Sequence, residues 1–326
     1  MALPTLLQDS LALPVIGSPM FMVSGPELVL AQCKSGIVGS FPALNARPKE
    51  LLDEWLSRIS SELAAERSLH PGRKIAPFAV NQIVHHSNDR LDHDVALCVK
   101  HKVPMLITSL RPPGDVVKEA HAYGGIVFHD VICVRHAEKA LEEGVDGLIL
   151  VCTGAGGHAG MLSPFALVSE VRQFWQGPIA LSGAISRGEQ ILAAQAMGAD
   201  LAYIGTRFIA TIEAQATDVY KEAIVCSAAA DIVYTPYFTG VHGNYLRSSI
   251  VAQGLNPEEL PQRDKTSMSF GSGTVKAWRD IWGAGQGVGS IGTVRPVGEV
   301  VAQLAVEYSS AREALGLTKN LSVNKA

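Results

Sequence analysis

The amino-acid sequence predicts an α/β protein: a (β/α)8 TIM barrel with a small helical and loop insertion after strand 8. Two observations predict this fold, and the first is a repeated pattern. A helical pattern ends near a glycine and an apolar run begins at once, as in CKSGIVGSF, AYGGIVFH and EEGVDGLIL. Glycine suits the left-handed residue that ends a helix. The runs are apolar without alternation, which is typical of parallel strands that helices cover.

The second observation is the number and regularity of these units. Eight strands are predicted, at 13–18, 37–41, 75–81, 104–109, 125–130, 147–152, 178–183 and 201–206. Eight successive β/α units are what a closed barrel of this kind requires. An open, doubly wound sheet is the alternative fold, and the count and the regular spacing favour the barrel.

The repeat stops after Phe208, and this predicts the domain organisation. Residues 1–214 and 276–326 are expected to form the barrel with its C-terminal helices, and residues 215–275 a small insertion or lid domain. A helical pattern returns at TVKAWRDIW, from Thr274, and EVVAQLAVEYSSAREAL predicts a final helix. Both helices are expected to dock on the barrel.

Aromatic residues within the insertion suggest what it covers. Segment 234–250 is expected to lie over the barrel mouth, because it holds many aromatic side chains for a solvated loop. Tyr237 and Tyr245 are the candidates for a substrate pocket. Anchoring of the insertion to the side of the barrel is the alternative. The residues behind this expectation are four aromatics and two glycines that allow bending: Tyr234, Tyr237, Phe238, Tyr245, Gly240 and Gly243.

Composition limits the class of partner. The chain has 326 residues, a formal net charge of -4 and a pI near 6.2, with Lys and Arg scattered. This balance argues against nucleic acid or an anionic membrane as the main partner. MALPTLLQDS lacks the features of a signal peptide, and five cysteines form no CxxC pair. We therefore expect a soluble, cytoplasmic monomer or homodimer that acts on a small molecule.

Small residues after strands 7 and 8 predict a phosphate site. In this fold the chemistry gathers at the C-terminal ends of the strands. Gly183 and Ala184 follow strand 7, and Gly205 and Thr206 follow strand 8. Small residues leave backbone N–H groups accessible, and these two loops are the usual phosphate site of the fold. The alternative is that small residues merely let each strand turn into a helix.

Residues after strands 1 and 3 are candidates for holding a planar ring. Asn81 is an amide at the predicted end of strand 3, where it could bond a heterocycle. A turn cap is the alternative role for this amide. Pro19, Met20 and Phe21 follow strand 1 and offer an apolar surface on which a ring could lie. Simple packing at the barrel mouth is the alternative for them.

His158 is the candidate catalytic residue. It follows strand 6 in VCTGAGGHAG, where Gly154, Gly156 and Gly157 let a ligand approach the backbone closely. An imidazole exchanges protons near neutral pH. A loop histidine that only bonds water is the alternative. No metal site is expected, because the sequence lacks HExxH and any Cys–His spacing typical of metal ligands.

One glycine-rich stretch is a weak match to a nucleotide motif. GVGSIG at 287–292 fits the dinucleotide fingerprint GxGxxG, but a helical pattern rather than a strand precedes it. A Rossmann site is therefore not expected there. A glycine-rich loop that reaches back to the barrel mouth stays open.

Taken in order, these motifs resemble the nitronate monooxygenase family of FMN-dependent TIM-barrel oxidoreductases, also described as 2-nitropropane dioxygenase-like. AGGHAG, LSGAIS, YIGTRF, GSPMFMVSG, FAVNQ and WGAGQGVGSI carry the resemblance, which covers the chain from about residue 10 to 310. The resemblance implies noncovalent FMN, with its phosphate between the loops after strands 7 and 8. It implies that His158 is the active-site base. The implied cofactor-binding residues are Pro19, Met20, Phe21, Asn81, Asp130, Gly156, Ser182, Gly183, Ala184, Gly205 and Thr206.

Departures from the family pattern bear on the substrate. Asp130 stands on strand 5 where some relatives carry Lys, and Val151 stands where some carry Gln. The insertion, with TPYFTGVHGNYL, also differs from well-known members. The resemblance implies oxidation of alkyl nitronates, and of nitroalkanes as a further candidate substrate, with O2 through a flavin semiquinone. Reduction of quinones by NAD(P)H, or of enoyl thioesters, is the alternative within the family, and a non-redox aldolase or isomerase barrel is the alternative outside it.

Overall fold

A computed structural model describes residues 3–260 and 278–317 of the chain. Its central element is a parallel sheet of eight strands, and the predicted barrel is confirmed. Each strand lies within about three residues of its expected position. The strands are β1 (Val15–Gly17), β2 (Gly39–Pro42), β3 (Phe78–Val84), β4 (Met105–Leu110), β5 (Ile126–Val131), β6 (Gly147–Val151), β7 (Ile179–Ser182) and β8 (Leu201–Ile204).

The sheet curls into a barrel whose first and second strands meet. Around the sheet, β1 pairs with β8, and the order then descends through β7 to β2. A parallel bridge between Ile16 and Val38 joins the two ends of the sheet. The amide of Gly17 donates to the carbonyl of Val38 at 2.7 Å across the same seam. All eight strands therefore place their C-terminal ends at one mouth.

Helices cover the outside of the barrel. Those between strands begin and end near the glycines and turns that the sequence pattern indicated. The final helix, Val297–Ala314, packs on the helix Gly188–Met197, where Tyr308 Oη donates to Gln195 Oε1 at 2.7 Å. The other α-helices are Thr5–Gln8, Pro26–Lys34, Leu51–Leu69, Leu91–Lys100, Gly114–Ala122, Val134–Glu142, Pro164–Val171, Thr206–Ile209, Asp218–Val225 and Arg247–Ala252.

Alternating strand residues separate two apolar cores. One core lies between sheet and helices and includes Val80, Leu106 and Val127. The other fills the barrel interior with side chains such as Ile107 and Phe128. Successive side chains of a strand point to opposite faces. Residues two positions beyond an interior side chain, at the C-terminal end of a strand, therefore point into the mouth.

The N-terminal helix closes the opposite end of the barrel. Leu7 is fully buried and Leu11 nearly so, and both belong to the interior core. They pack with Val38 and Ala76, which lie near the N-terminal ends of β2 and β3. The interior is therefore plugged with apolar side chains at that end, away from the mouth.

Part of the predicted insertion forms a second, smaller sheet at the mouth. This mouth sheet has three antiparallel strands: Gly157–His158, Ile232–Thr235 and Gly243–Leu246. The sequence patterns did not predict it, because one of its strands, Gly157–His158, comes from the loop after β6 and is only two residues long. The division of the chain into two domains stays a prediction.

Two local expectations are wrong. Strand β3 continues to Val84, so Asn81 lies within the strand and not at its end. The helix expected from TVKAWRDIW is not seen in its described part, since residues 278–280 form a turn and the amide of Trp278 donates to the carbonyl of Ile281. Residues 274–277 lie outside the described residues. Within residues 3–260 and 278–317, no helix combines the length and the apolar character needed to cross a bilayer.

Candidate functional site

The loop after β6 is shaped by glycines and held by the mouth sheet. Gly154 and Gly157 have φ of 81° and 70°, a conformation that side chains rarely adopt. Gly243 pairs with His158 and Asn244 with Gly157. The side-chain amide of Asn244 also donates to the carbonyl of Ala155 at 2.6 Å. These contacts fix the backbone on which His158 is carried.

His158 lies half-buried among side chains from distant parts of the chain. Its Nε2 is 2.8 Å from Oγ1 of Thr239, 81 residues further on. Its ring meets Trp278 edge to face, with centroids 5.2 Å apart. Burial lowers the pKa of His158 to about 4, because a charged imidazole would lose its hydration. The imidazole is therefore neutral over the working pH range.

The hydrogen bonds of Thr239 favour one tautomer of this imidazole. Thr239 Oγ1 donates to the carbonyl of Val241 at 3.0 Å, and a carbonyl can only accept. The hydroxyl proton is used there, so Oγ1 accepts from Nε2–H of His158. Nδ1 of His158, which has no hydrogen-bond partner among the described residues, then carries the lone pair. It is the atom of this ring that can accept a proton.

The loops after β6, β7 and β8 meet at one side of the mouth with little side-chain cover. Gly183 and Ala184 both have positive φ, 149° and 56°. A Cβ on Gly205 would lie 2.6 Å from Ser18 Oγ, and one on Gly156 would lie 3.1 Å from Thr206 Oγ1. Backbone therefore forms most of this surface. We call it the glycine side, made of Gly156, Gly183, Ala184, Gly205 and Thr206.

The C-terminal glycine-rich segment packs on the glycine side. The amide of Gly285 donates to Thr206 Oγ1 at 2.9 Å, and that of Gln286 donates to the carbonyl of Gly154 at 2.9 Å. A Cβ on Gly287 would lie 3.0 Å from the carbonyl oxygen of Ala184. The stretch that matches GxGxxG is thus a loop that returns to the barrel mouth.

Three polar side chains project into the mouth from the neighbouring strands β3, β4 and β5. They lie one layer beyond the apolar side chains of the barrel interior. Asn81 Nδ2 donates to Ser109 Oγ at 2.9 Å, and Ser109 Oγ donates to Asp130 Oδ2 at 2.7 Å. Burial raises the pKa of Asp130 to about 7, although the bond from Ser109 opposes that rise. We call Asn81, Ser109 and Asp130 the strand wall.

The loop after β1 lies against the glycine side. Met20 is half-buried, and its Sδ would be 3.6 Å from a Cβ on Gly205. Asn45 anchors this loop, since its Nδ2 donates to the carbonyl of Met20 at 3.0 Å. Pro19 is half-buried beside Met20, while the ring of Phe21 packs under the guanidinium of Arg47. Met20 therefore offers the apolar contact that is nearest to the glycine side.

The aromatic residues of segment 234–250 support the loop that carries His158. Tyr234 Oη donates to the carbonyl of Ala159 at 3.0 Å. Tyr245 is fully buried between Phe238 and Trp278, with centroid distances of 5.2 and 5.6 Å, and Tyr237 packs edge to face on Phe238. The segment thus lies on the loop after β6 at the mouth. Contact of Tyr237 or Tyr245 with a substrate stays a prediction.

Sequence reasoning missed four residues that belong to this arrangement. Sequence patterns do indicate Ser109 and Tyr203, a buried side chain of β8 close to Asp130, because each lies two positions beyond an interior apolar residue of its strand. No sequence pattern indicates Thr239 or Trp278, since they reach His158 from loops far away in the sequence. Their places depend on tertiary packing.

The residues at the mouth fit a phosphate-bearing heterocycle such as FMN. Asp130 Oδ1 is buried and has no hydrogen-bond partner among the described residues, so the strand wall holds an unused polar atom. Ser182 and Thr206 add hydroxyl groups, and the glycine side adds backbone that a ligand can approach closely. Met20 supplies apolar surface. In the described residues, no cluster of three or more His, Cys, Asp or Glu could hold a metal ion.

Comparison with known proteins assigns the chain to a family. The family model for nitronate monooxygenase matches residues 54–307. A nitronate monooxygenase of Paraburkholderia phytofirmans is 25% identical over 93% of this chain and 94% of its own length. A Mycobacterium tuberculosis relative, named as a monooxygenase, is 29% identical over 66% of this chain and 61% of its own length. The chain thus spans less than two thirds of that relative.

Solved structures show the same fold. FabK from Thermotoga maritima superposes with a TM-score of 0.73 at 24% identity, covering 95% of this chain and 96% of that one. Nitroalkane oxidase from Streptomyces ansochromogenes superposes with a TM-score of 0.72 at 22% identity, covering 95% and 100%. With the family match over most of the barrel, these findings confirm the resemblance seen in the motifs. The chain belongs to the nitronate monooxygenase family.

Proposed function

We propose that the protein is an FMN-dependent oxidoreductase that oxidises alkyl nitronates with O2. The observation that carries the proposal is His158: a neutral imidazole at the barrel mouth, with Nε2 bonded to Thr239 and Nδ1 without a partner in the described part of the chain. Family membership supports the class of reaction. One similar structure is described as a nitroalkane oxidase, a related oxidation of a nitrogen compound.

The two sides of the mouth would divide the binding of FMN between them. The glycine side and Ser182 would hold the phosphate through backbone N–H groups and hydroxyls, as loops after β7 and β8 commonly do in this fold. Asn81 and Asp130 of the strand wall would bond polar atoms of the ring system, and Met20 would contact its apolar part. Bound FMN would supply the electron acceptor that passes electrons on to O2.

His158 would handle a proton and a charge at Nδ1. A bound nitronate is an anion, and a nearby negative charge raises the pKa of an imidazole. Burial has lowered this pKa to about 4, so protonation would accompany anion binding and not precede it. A nitroalkane gives up a proton as it becomes anionic, and Nδ1 could accept that proton. Because the isolated group is a weak base, nitronates should be better substrates than nitroalkanes.

The decisive test begins with the cofactor. The purified protein, or the protein reconstituted with FMN, should show flavin absorbance and release FMN on heat denaturation. Mixed without O2, an alkyl nitronate should bleach the flavin, and O2 should restore it. A protein that cannot retain FMN, or whose flavin is unaffected by nitronates, would contradict the proposal.

The low pKa of His158 also favours a second candidate function. A reaction that needs no strong base, such as NAD(P)H-dependent reduction of a quinone, would suit a neutral imidazole. NADH and NADPH are therefore mixed separately with the enzyme without O2. Rapid bleaching by either one, followed by reoxidation with a quinone, would favour the reductase over the nitronate oxidase.

A further inference from the structure

The two oxygens of the buried Asp130 carboxyl group differ in their hydrogen bonding. Oδ2 accepts from Ser109 Oγ at 2.7 Å. Oδ1 is buried without a hydrogen-bond partner among the described residues. A buried polar atom without a partner costs free energy, so its retention needs an explanation. The function proposed above requires Asp130 to be near the flavin but gives it no chemical role.

The hydrogen bonds of the strand wall locate the proton that this carboxyl group can carry. Asn81 Nδ2 donates to the carbonyl of Ile107 at 3.2 Å, which fixes the orientation of the amide. The same nitrogen donates to Ser109 Oγ, and the only proton of that hydroxyl goes to Asp130 Oδ2. Oδ2 is therefore an acceptor. A proton on Asp130 lies on Oδ1.

The surroundings of Asp130 favour the protonated form. The side chain faces apolar residues of β6, Ile149 and Val151, and the hydroxyl-bearing side of β4. Tyr203 of β8 is the titratable side chain that faces it in the described part of the chain, and burial, with a smaller contribution from the Asp130 carboxylate, raises the pKa of that phenol. His129 is on the opposite face of β5, bonded to Thr108. No cation in the described residues pairs with Asp130.

We propose that Asp130 is a redox-linked proton site: Oδ1 takes up one proton from solvent when the flavin bound in the mouth gains electrons. The inference rests on the proposed FMN function. The electrons come from the organic substrate, or from dithionite in a test, and the proton comes from water. An O–H bond forms on Oδ1, and the carboxylate charge disappears as negative charge arrives on the ring. The protonated Oδ1 then becomes a donor to that ring.

Charge explains why the two events are linked. An ionised carboxylate beside a ring that gains negative charge is repelled, and the repulsion is strong in a poorly solvated interior. Reduction therefore raises the pKa of Asp130 above its value of about 7 in the protein alone. Between the two pKa values, reduction takes up one extra proton. Within that window each pH unit should shift the reduction equilibrium by one further factor of ten.

The experiment measures the midpoint potential of the bound FMN against pH in wild type and in Asp130→Asn. Asn is uncharged at every pH and keeps a donor, so it imitates the protonated acid. The two curves should coincide at acidic pH. Above about pH 7 the wild-type potential should fall more steeply, by the extra tenfold per pH unit. Asp115→Asn, whose side chain is 98% exposed, is the matched control and should follow wild type.

A second variant is expected to shift the pH dependence of the potential in a direction that a general loss of structure would not produce. Ser109→Ala removes the donor that stabilises the ionised carboxylate, so the steeper part of the curve should begin at higher pH. Proton uptake on anaerobic photoreduction, read with a pH dye, should be smaller in Asp130→Asn by about half a proton near pH 7, and the difference should grow toward one proton as pH rises within the window. Coincident potential curves for wild type and Asp130→Asn at all pH values would overturn this inference alone. A protein that holds no FMN would overturn both it and the proposed function.

Discussion

The glycine side of the mouth presents backbone, whereas the strand wall presents side chains. Gly183 and Ala184 use left-handed backbone and bring few polar side-chain atoms. Asn81, Ser109 and Asp130 are placed by strands and joined by hydrogen bonds. Backbone on loops accepts any anion of suitable size, while side chains on rigid strands can discriminate protonation states. In the proposed FMN complex, the glycine side would hold the ligand and the strand wall would tune its charge.

The pKa shifts of His158 and Asp130, two titratable groups at the mouth, have the same physical cause. Burial lowers the pKa of His158 to about 4 and raises that of Asp130 to about 7. Both shifts favour the neutral form, because desolvation penalises charge of either sign. At neutral pH the imidazole is uncharged and the carboxyl group is close to half protonated. A ligand that brings charge into the mouth therefore changes protonation on both sides.

The largest expected effect comes from placing a charged side chain on the glycine side. Ala184 already has φ of 56°, a conformation that Asp and Asn tolerate better than most residues. Ala184→Asp should weaken FMN binding by about 1,000-fold, since two unit charges at about 4 Å repel by roughly 4 kcal/mol near a protein surface. Titration of the apoprotein with FMN measures the dissociation constant.

Ala184→Asn is the control for that variant, with the same shape and no charge. It should bind FMN within about tenfold of wild type. Equal weakening by Asp and Asn would show that the cause is steric. Unchanged binding by Ala184→Asp would remove the phosphate from this side of the mouth.

The next effect removes the imidazole that the loop after β6 places at the mouth. His158→Asn should leave the melting temperature and FMN content unchanged but lower turnover of a nitroalkane by roughly 100-fold, the usual scale for a general base. A preformed nitronate needs no deprotonation and should lose less. Steady-state kinetics with both substrates measure the difference. Equal losses would mean that His158 binds or stabilises charge and takes no proton from the substrate.

A smaller effect concerns the bond that orients this imidazole. Thr239→Val keeps the side-chain shape but leaves Nε2–H of His158 without its acceptor, so turnover should fall by about tenfold. Thr239→Ser keeps the hydroxyl and should stay close to wild type. If both variants lose activity equally, the methyl group and its packing would explain the result, and the tautomer would not be fixed in this way.

The last prediction concerns how the affinity for an anion changes with pH. A bound anion raises the pKa of His158 above about 4, so the complex holds one more proton than the free protein. Affinity is therefore greatest at low pH and falls by about tenfold per unit as pH rises from 4 toward the pKa of the complex. The dissociation constant of nitrate, an inert planar anion, measures this through the flavin spectrum. His158→Asn should abolish the slope.

The sequence predicted the barrel well because its signals are local. Each apolar run is read within six or so residues, and the glycines that end helices stand next to it. The same runs also indicated four residues of the glycine side, Gly183, Ala184, Gly205 and Thr206, which follow directly after β7 and β8. Asn81 was assigned to a strand end because the polar pair Asn81 and Gln82 interrupts the apolar run, although Ile83 and Val84 continue the strand.

The remaining parts of the site depend on contacts between distant segments. Thr239 reaches His158 across 81 residues, and Trp278 reaches it from beyond the insertion. Neither residue is distinctive in its own stretch of sequence. Asp130 was named through a family resemblance, but its unused oxygen and its raised pKa follow from burial, which no sequence pattern specifies.

The shared strand Gly157–His158 has a consequence for how the mouth opens. Its backbone belongs to the loop after β6 and is also paired with Gly243 and Asn244. While these strand hydrogen bonds persist, segment 243–246 cannot move away from the barrel without the backbone of His158. Amide hydrogen exchange should report this as one cooperative unit, with the amides of the two segments losing protection together. If segment 243–246 moves, the backbone of His158 would then move with it.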